Sequence, residues 1–127
     1  MADEEPIVYV VRPSARVANQ IEAEHRRQEA QRGLSAADDW EDALTDAIAS
    51  LATYPTRRPE ASENGPFQRV SPGETLYVLL FRRKRGATWR ILFTVDDANE
   101  NDPPTVHLQM LRHGAEAPMT FWPAEDE

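Results

Sequence analysis

The chain has 127 residues, the length of one domain, and we treat residues 1–127 as a single domain with a core over about residues 7–118 and acidic termini at 1–5 and 124–127. Hydrophobic residues make up 40% and charged residues 28%, which is typical of a globular protein and not of a disordered one. The absence of cysteine excludes disulfide frameworks, thiol nucleophiles and thiolate metal sites. Because no apolar run approaches the about 20 residues that span a bilayer, and the N-terminus is acidic, we expect a cytoplasmic protein without a membrane segment.

The charge is unevenly distributed. The net charge is −8, from 22 acidic and 14 basic residues. Five of the basic residues lie within nine positions that hold no acid: Arg82, Arg83, Lys84, Arg85 and Arg90. An acidic protein repels nucleic acid at long range, whereas arginine forks suit phosphates and carboxylates. The sequence therefore predicts an acidic protein with one basic patch.

The first half of the chain predicts a strand followed by two helices. The β-branched and aromatic run Ile7–Val11 is typical of a strand. Ala15–Arg32 contains neither proline nor glycine, and Ser14 and Gly33 are suited to the two ends of a helix there. This segment should form the first arm of a helical hairpin.

The second arm has the clearest amphipathic pattern in the chain. Ser35 and Asp38 form a capping arrangement. Trp40, Leu44, Ala47, Ile48 and Leu51 then recur at helical spacing, and the helix should end before Pro55. Residues 55–74, rich in proline and glycine, predict a long connection with little regular structure.

The last third predicts three strands, over residues 76–83, 88–95 and 105–112. A turn near Gly86 joins the first two as a hairpin. The predicted fold is therefore α+β, in the order β-α-α-β-β-β, with the helical hairpin packed on one face of a small antiparallel sheet.

Alternation along these strands predicts which side chains share a face. The apolar side chains of Trp89, Ile91, Phe93 and Val95, and those of Val106, Leu108 and Met110, should face the helices. Arg90 would then share an open face with His107, Gln109 and His113. A two-residue hairpin loop would add Arg83 and Arg85 to that face, and a three-residue loop would place them on the other.

Such a basic face has several possible uses. It could clamp phosphates, stabilise the dianionic transition state of RNA cleavage with a histidine as general acid or base, or receive an acidic peptide. It could equally be a solvated sheet face, or one whose arginines pair with carboxylates. The three scattered histidines and the lack of nucleotide-binding or zinc-binding motifs predict neither a metal site nor a cofactor.

Three segments, in order, carry a resemblance to a known family. Trp40–Leu51 followed by Tyr54-Pro55 resembles a "W…L…AI…L…P" helix, Trp89–Asp96 a "[YW]R[IVL]L[YF]xVd" strand, and Val106–Ala115 a closing "VxVLxVRHGxR" strand. Together they resemble the RelE/ParE superfamily of toxins from type II toxin–antitoxin systems. The resemblance covers residues 7–118 and implies the β-α-α-β-β-β fold.

The resemblance also implies functions and roles. The RelE-like branch would make the chain a metal-independent endoribonuclease that cleaves mRNA on the ribosome. Arg90 matches the position that contacts the scissile phosphate, Arg83 and Arg85 match assisting basic positions, and Arg112 and His113 match the closing catalytic pair. The alternatives are a ParE-like, non-enzymatic inhibitor of DNA gyrase and a catalytically silent member that binds a partner. The implied partner in each toxin case is a cognate antitoxin protein.

Overall fold

The computed structural model describes residues 7–83, 87–114 and 116–123. Within these ranges a four-stranded sheet packs against helices on both faces. The elements in chain order are β1 (Val10–Pro13), α1 (Ala15–Arg32), α2 (Leu34–Ala49), two short 3₁₀ turns (Ser50–Ala52 and Pro55–Arg57), α3 (Asn64–Val70), β2 (Tyr77–Phe81), β3 (Trp89–Asp96) and β4 (Thr105–His113). The α+β class and the helical hairpin α1–α2 are confirmed.

The sheet is mixed, with the strand order β1-β4-β3-β2. β2 to β4 are antiparallel neighbours, but β1 runs parallel to β4, so the wholly antiparallel prediction is wrong at this edge. A parallel pair needs a long crossover between its strands, which the intervening helices and hairpin provide. β1 also starts later than predicted, because the backbone N–H of Tyr9 donates to the carbonyl of Ala52 (2.7 Å), outside the sheet.

The ends of the two long helices are set by one serine and one glycine. Ser14 caps α1 as predicted, its hydroxyl accepting from the backbone N–H of Val17 at 3.1 Å. The predicted cap of α2 at Ser35 is wrong, because α2 already begins at Leu34. Gly33 alone joins the helices at φ 94°, a left-handed conformation that favours glycine, and leaves no linker in which a separate cap could form.

The main core lies between the helical hairpin and the sheet. Val17, Trp40 and Leu44 from the helices pack on Ile91 and Phe93 of β3, and all of these are buried. The predicted helix-facing side of β3 is therefore confirmed. The packed helices cover one complete face of the sheet.

A second core covers the opposite face, which the sequence predicted to be open. The connection after residue 55 contains α3, and its Phe67 is buried together with Leu92, Met110 and Trp122. The rings of Phe67 and Trp122 meet edge to face, with centroids 5.0 Å apart. The predictions of an open sheet face and of an unstructured connection are therefore both wrong, because apolar side chains of the connection and of the last residues cover that face.

A β-bulge in β4 determines to which face of the sheet the side chains of this strand point. Phe93 pairs with Leu108 and Leu92 with Met110, so Gln109 is an extra residue without a partner. Beyond it the alternation is reversed, and Met110 faces the second core, not the main one as predicted. Across the described residues, no helix is both long enough and apolar enough to span a membrane.

Candidate functional site

Arg90 and Arg112 face each other across β3 and β4, on the side of the sheet turned away from α1 and α2. Between their guanidinium groups lies the carboxylate of Glu63, from the residue that precedes α3. Three segments distant in sequence thus meet in one charged cluster. Glu63 is completely buried, and the Arg90 and Arg112 side chains are only 13% and 10% exposed.

Arg90 forms a bidentate ion pair with Glu63. Its Nη1 donates to Oε2 at 2.7 Å and its Nη2 to Oε1 at 2.6 Å, and Nη2 also donates to the Ser62 hydroxyl at 3.0 Å. Burial alone would raise the pKa of Glu63, but hydrogen bonds from Arg90 and Ser62 and the charge of Arg90 outweigh it and hold that pKa below its ordinary value. The pKa of Arg90 is raised by the same pairing. Both groups are therefore charged and mutually satisfied.

Arg112 completes the cluster. Its Nε lies 3.5 Å from Oε2 of Glu63, an ion-pair distance without a hydrogen bond. Its Nη2 donates to the carbonyl of Ala117 at 2.6 Å and lies 3.1 Å from the carboxylate of Glu116. Two arginines thus meet two carboxylates, and the cluster carries no surplus positive charge.

This arrangement corrects the prediction that Arg90 lies on an open basic face. Its side chain is enclosed by the segment before α3 and held by a carboxylate. Such a bidentate pair uses the same donors that a phosphate would require. A catalytic role of Arg90 and Arg112 stays a prediction, but neither guanidinium is presented to solvent.

His113, the third predicted catalytic residue, lies on the other face of the sheet. It pairs in register with Trp89, and the two rings meet edge to face at 5.0 Å between centroids. Its predicted place beside Arg90 is wrong, because the bulge at Gln109 reverses the alternation of β4 before position 113 is reached. The sheet therefore separates His113 from the two arginines.

The sequence did not decide on which face of the sheet Arg83 and Arg85 lie. The β2–β3 pairing ends at Phe81 opposite Trp89, and Arg83 lines a cleft on the helix side, away from Arg90. Arg83 therefore lies on the face that the three-residue loop predicts for it. Arg85 lies outside the described residues, so its predicted role as a substrate contact has no structural account here.

The helix-side cleft has a volume of about 510 Å³ and lies where the end of α1 and the start of α2 meet the β2–β3 hairpin. Its lining consists of Glu24, Arg27, Gln28, Arg32, Ala36, Asp39, Trp40, Arg83, Ala87 and Trp89. Arg27 binds Glu24 through both Nε and Nη2, with the Nε–Oε1 distance 2.8 Å. Burial would raise the pKa of Glu24, but hydrogen bonds from Arg27 and Gln28 lower it overall.

A separate polar hollow lies beside the acidic loop after β3. His107 Nε2 lies 2.9 Å from an oxygen of Asp96, with Arg12, Asp97 and Asp102 nearby in the same lining. In residues 7–83, 87–114 and 116–123, no group of three or more His, Asp or Glu side chains is arranged to hold a metal ion. No protein-family model and no curated protein matches the sequence.

Sequence reasoning missed Glu63 and the helix that follows it. The signal was weak, since Glu63 lies among proline, glycine and asparagine, where acids are usually solvated. Two apolar residues could have indicated that the second sheet face is covered. Phe67 in the connection and Trp122 in the tail both favour burial, and this face was the surface still available to them.

Proposed function

We propose that the chain is a RelE/ParE-like protein that acts by binding a protein target without cleaving RNA. The target that the resemblance offers is DNA gyrase, and a cognate antitoxin would neutralise the protein. The order of the helices and strands, apart from the added α3, and the helical hairpin on one face of the sheet agree with the arrangement expected from the three matching segments, whereas the parallel pairing of β1 with β4 does not.

The observation that carries the non-enzymatic reading is the bidentate pair of Arg90 with Glu63. An enzyme that cleaves a phosphodiester stabilises the transition state with hydrogen-bond donors that point at the oxygens on which negative charge develops. Here those donors are already bonded to a buried carboxylate. Releasing Arg90 would leave Glu63 charged in the interior without its hydrogen bonds from Arg90 and with only Arg112 at ion-pair distance, at a cost of about 3–5 kcal/mol.

The position of His113 supports the same proposal. A general acid must come within hydrogen-bond reach of the group it protonates. His113 lies on the helix side of the sheet, whereas Arg90 and Arg112 lie on the other. Phe121 and Trp122, near the chain's end, carry no phenol that could replace it as proton donor. The implied catalytic set is thus divided by a sheet.

The first experiment compares two activities of the full chain. We expect purified protein to inhibit gyrase supercoiling while mRNA ends in a translating cell-free reaction stay unchanged. New mRNA ends that require translating ribosomes would overturn the proposal in favour of the ribonuclease. Intact mRNA with unaffected supercoiling would overturn the choice of gyrase and leave the silent, partner-binding alternative.

A paired substitution tests the role of Arg90 without leaving either Glu63 or Arg90 as a charged group that has lost its partner. The double variant Glu63→Gln and Arg90→Gln removes both charges together, and its fold is checked by circular dichroism. We expect it to inhibit supercoiling as the parent chain does. Loss of activity in this folded variant would show that Arg90 has a direct part in the function. Glu116→Gln, an exposed change beside the same cluster, is the matched control.

A further inference from the structure

The helix-side cleft brings together cations from distant parts of the chain. Arg32 ends α1, and Arg83 follows β2 on the opposite wall. Both are exposed, and neither forms an ion pair with any described residue, whereas Arg27 is neutralised by Glu24. Asp39 is the remaining acid of the lining. The cleft therefore has a surplus of one positive charge within a protein of net charge −8.

The cleft wall also contains an unsatisfied donor. Trp40 is 3% exposed, and its indole Nε1 has no hydrogen-bond partner among the described residues. Buried polar groups normally have a partner, and an exception calls for an explanation. Its partner ring Trp89, with centroids 5.8 Å apart, fixes the indole in place. Because Trp40 lines the cleft, a ligand bound there would change the surroundings of its indole.

We propose that this cleft binds the phosphate group of a small phosphorylated ligand. The oxygens of a phosphate accept hydrogen bonds, and they match the planar guanidinium forks of Arg32 and Arg83. The volume of about 510 Å³ lies within the range of about 300–1,000 Å³ that is common for small-molecule sites. This proposal does not depend on the target of the protein proposed above.

The charge of the whole protein selects a small ligand over a nucleic acid. With 22 acidic residues against 14 basic ones, the chain repels a polyanion at long range. A small phosphate monoester carries at most about two negative charges, far fewer than a nucleic acid, and it meets mainly the local field of the cleft. Asp39 opposes it there, and this opposition provides a direct test.

The three tryptophans supply the readout. In a ¹⁵N-labelled sample of the full chain, inorganic phosphate is titrated against chloride at constant ionic strength, and the indole N–H resonances are followed. We expect the Trp40 resonance to shift and saturate, while that of Trp122, on the far side of the sheet, stays unchanged. A linear, unsaturated shift, or one that chloride or acetate reproduces, would overturn the proposal.

Charge variants locate the site. We expect Arg83→Gln to weaken phosphate binding about tenfold, equal to about 1.4 kcal/mol, and Asp39→Asn to strengthen it. Arg69→Gln, an exposed change on α3 across the sheet, is the matched control and should leave the affinity unaltered. Equal loss in Arg69→Gln, or no loss in Arg83→Gln, would overturn the site. A single-stranded RNA that binds more tightly per phosphate would overturn the choice of a small ligand.

Discussion

Glu63 and Arg90 are 27 positions apart in sequence, and their side chains form two hydrogen bonds of 2.7 and 2.6 Å across the second core. The pair ties the long connection to the central strand β3. It also explains why the connection is ordered despite its prolines and glycines. The buried Glu63 carboxylate accepts two hydrogen bonds from Arg90 and lies at ion-pair distance from Arg112, so its charge is compensated only when the connection takes this arrangement.

Removing Glu63 should therefore be costly. We expect Glu63→Ala to destabilise the protein by about 3–5 kcal/mol, because Arg90 is left as a buried, uncompensated charge and Arg112 keeps only Glu116. Urea unfolding followed by tryptophan fluorescence measures this change. Glu116→Ala, at an exposed carboxylate of the same cluster, should cost at most about 1 kcal/mol. Similar losses in the two variants would contradict the importance assigned to Glu63.

The same pair predicts a dependence on pH. Because the pKa of Glu63 is lower in the folded chain than in the unfolded one, its stabilising contribution is complete above the unfolded value of about 4.3 and is lost as the pH falls through the folded value. Urea midpoints between pH 7 and pH 3 should fall more steeply for the parent chain than for Glu63→Gln. A constant difference between the two over this range would argue against the lowered pKa.

The predictable and unpredictable parts of this molecule differ in the range of the interactions involved. Local signals indicated α1 with its Ser14 cap, the amphipathic α2 and the helix-facing side of β3. Periodicity also placed His107 and Gln109 correctly, since Gln109 donates to Thr94 on the face away from the helices. These features depend on neighbours within a few residues.

Most of the failures depend on contacts between distant segments, the cap predicted at Ser35 being a local exception. The parallel pairing of β1 with β4 is decided by where the chain returns after five intervening elements. The cover of the second face needs Phe67 and Trp122 to meet, 55 positions apart in the chain. The site prediction failed at a single extra residue, Gln109, which alternation alone does not reveal.

Gly114 is expected to be intolerant of a side chain. A Cβ there would lie 2.6 Å from the backbone oxygen of Thr88, to which the N–H of Gly114 donates. We expect Gly114→Ala to cost about 1–3 kcal/mol because the hairpin backbone must shift. Gly65→Ala is the control, since a Cβ there meets no atom within 4 Å beyond its chain neighbours and should cost less than the change at Gly114. Thermal unfolding of both variants distinguishes the cases.

The docking of the chain's end on the second core can be tested with neighbouring aromatic residues. Trp122 is buried against Phe67, whereas Phe121 is 68% exposed. We expect Trp122→Ala to destabilise the protein by about 3–5 kcal/mol and Phe121→Ala to have almost no effect. Urea unfolding monitored by circular dichroism compares them on equal terms. Equal stability of the two variants would mean that the tail contributes no packing energy.

The bulge in β4 has a consequence for the tolerance of the strand to length changes. Removing Gln109 would delete the residue that has no partner across the ladder, so Met110, Leu111 and His113 would keep their present faces in a regular strand. Removing another residue between Val106 and Arg112 would also make the ladder regular, but it would change which side chain takes which place: without Leu108, Gln109 would lie opposite Phe93 on the main core. Position 109 is therefore where relatives of this chain could lose one residue from a central strand and still keep both cores and the helix-side cleft.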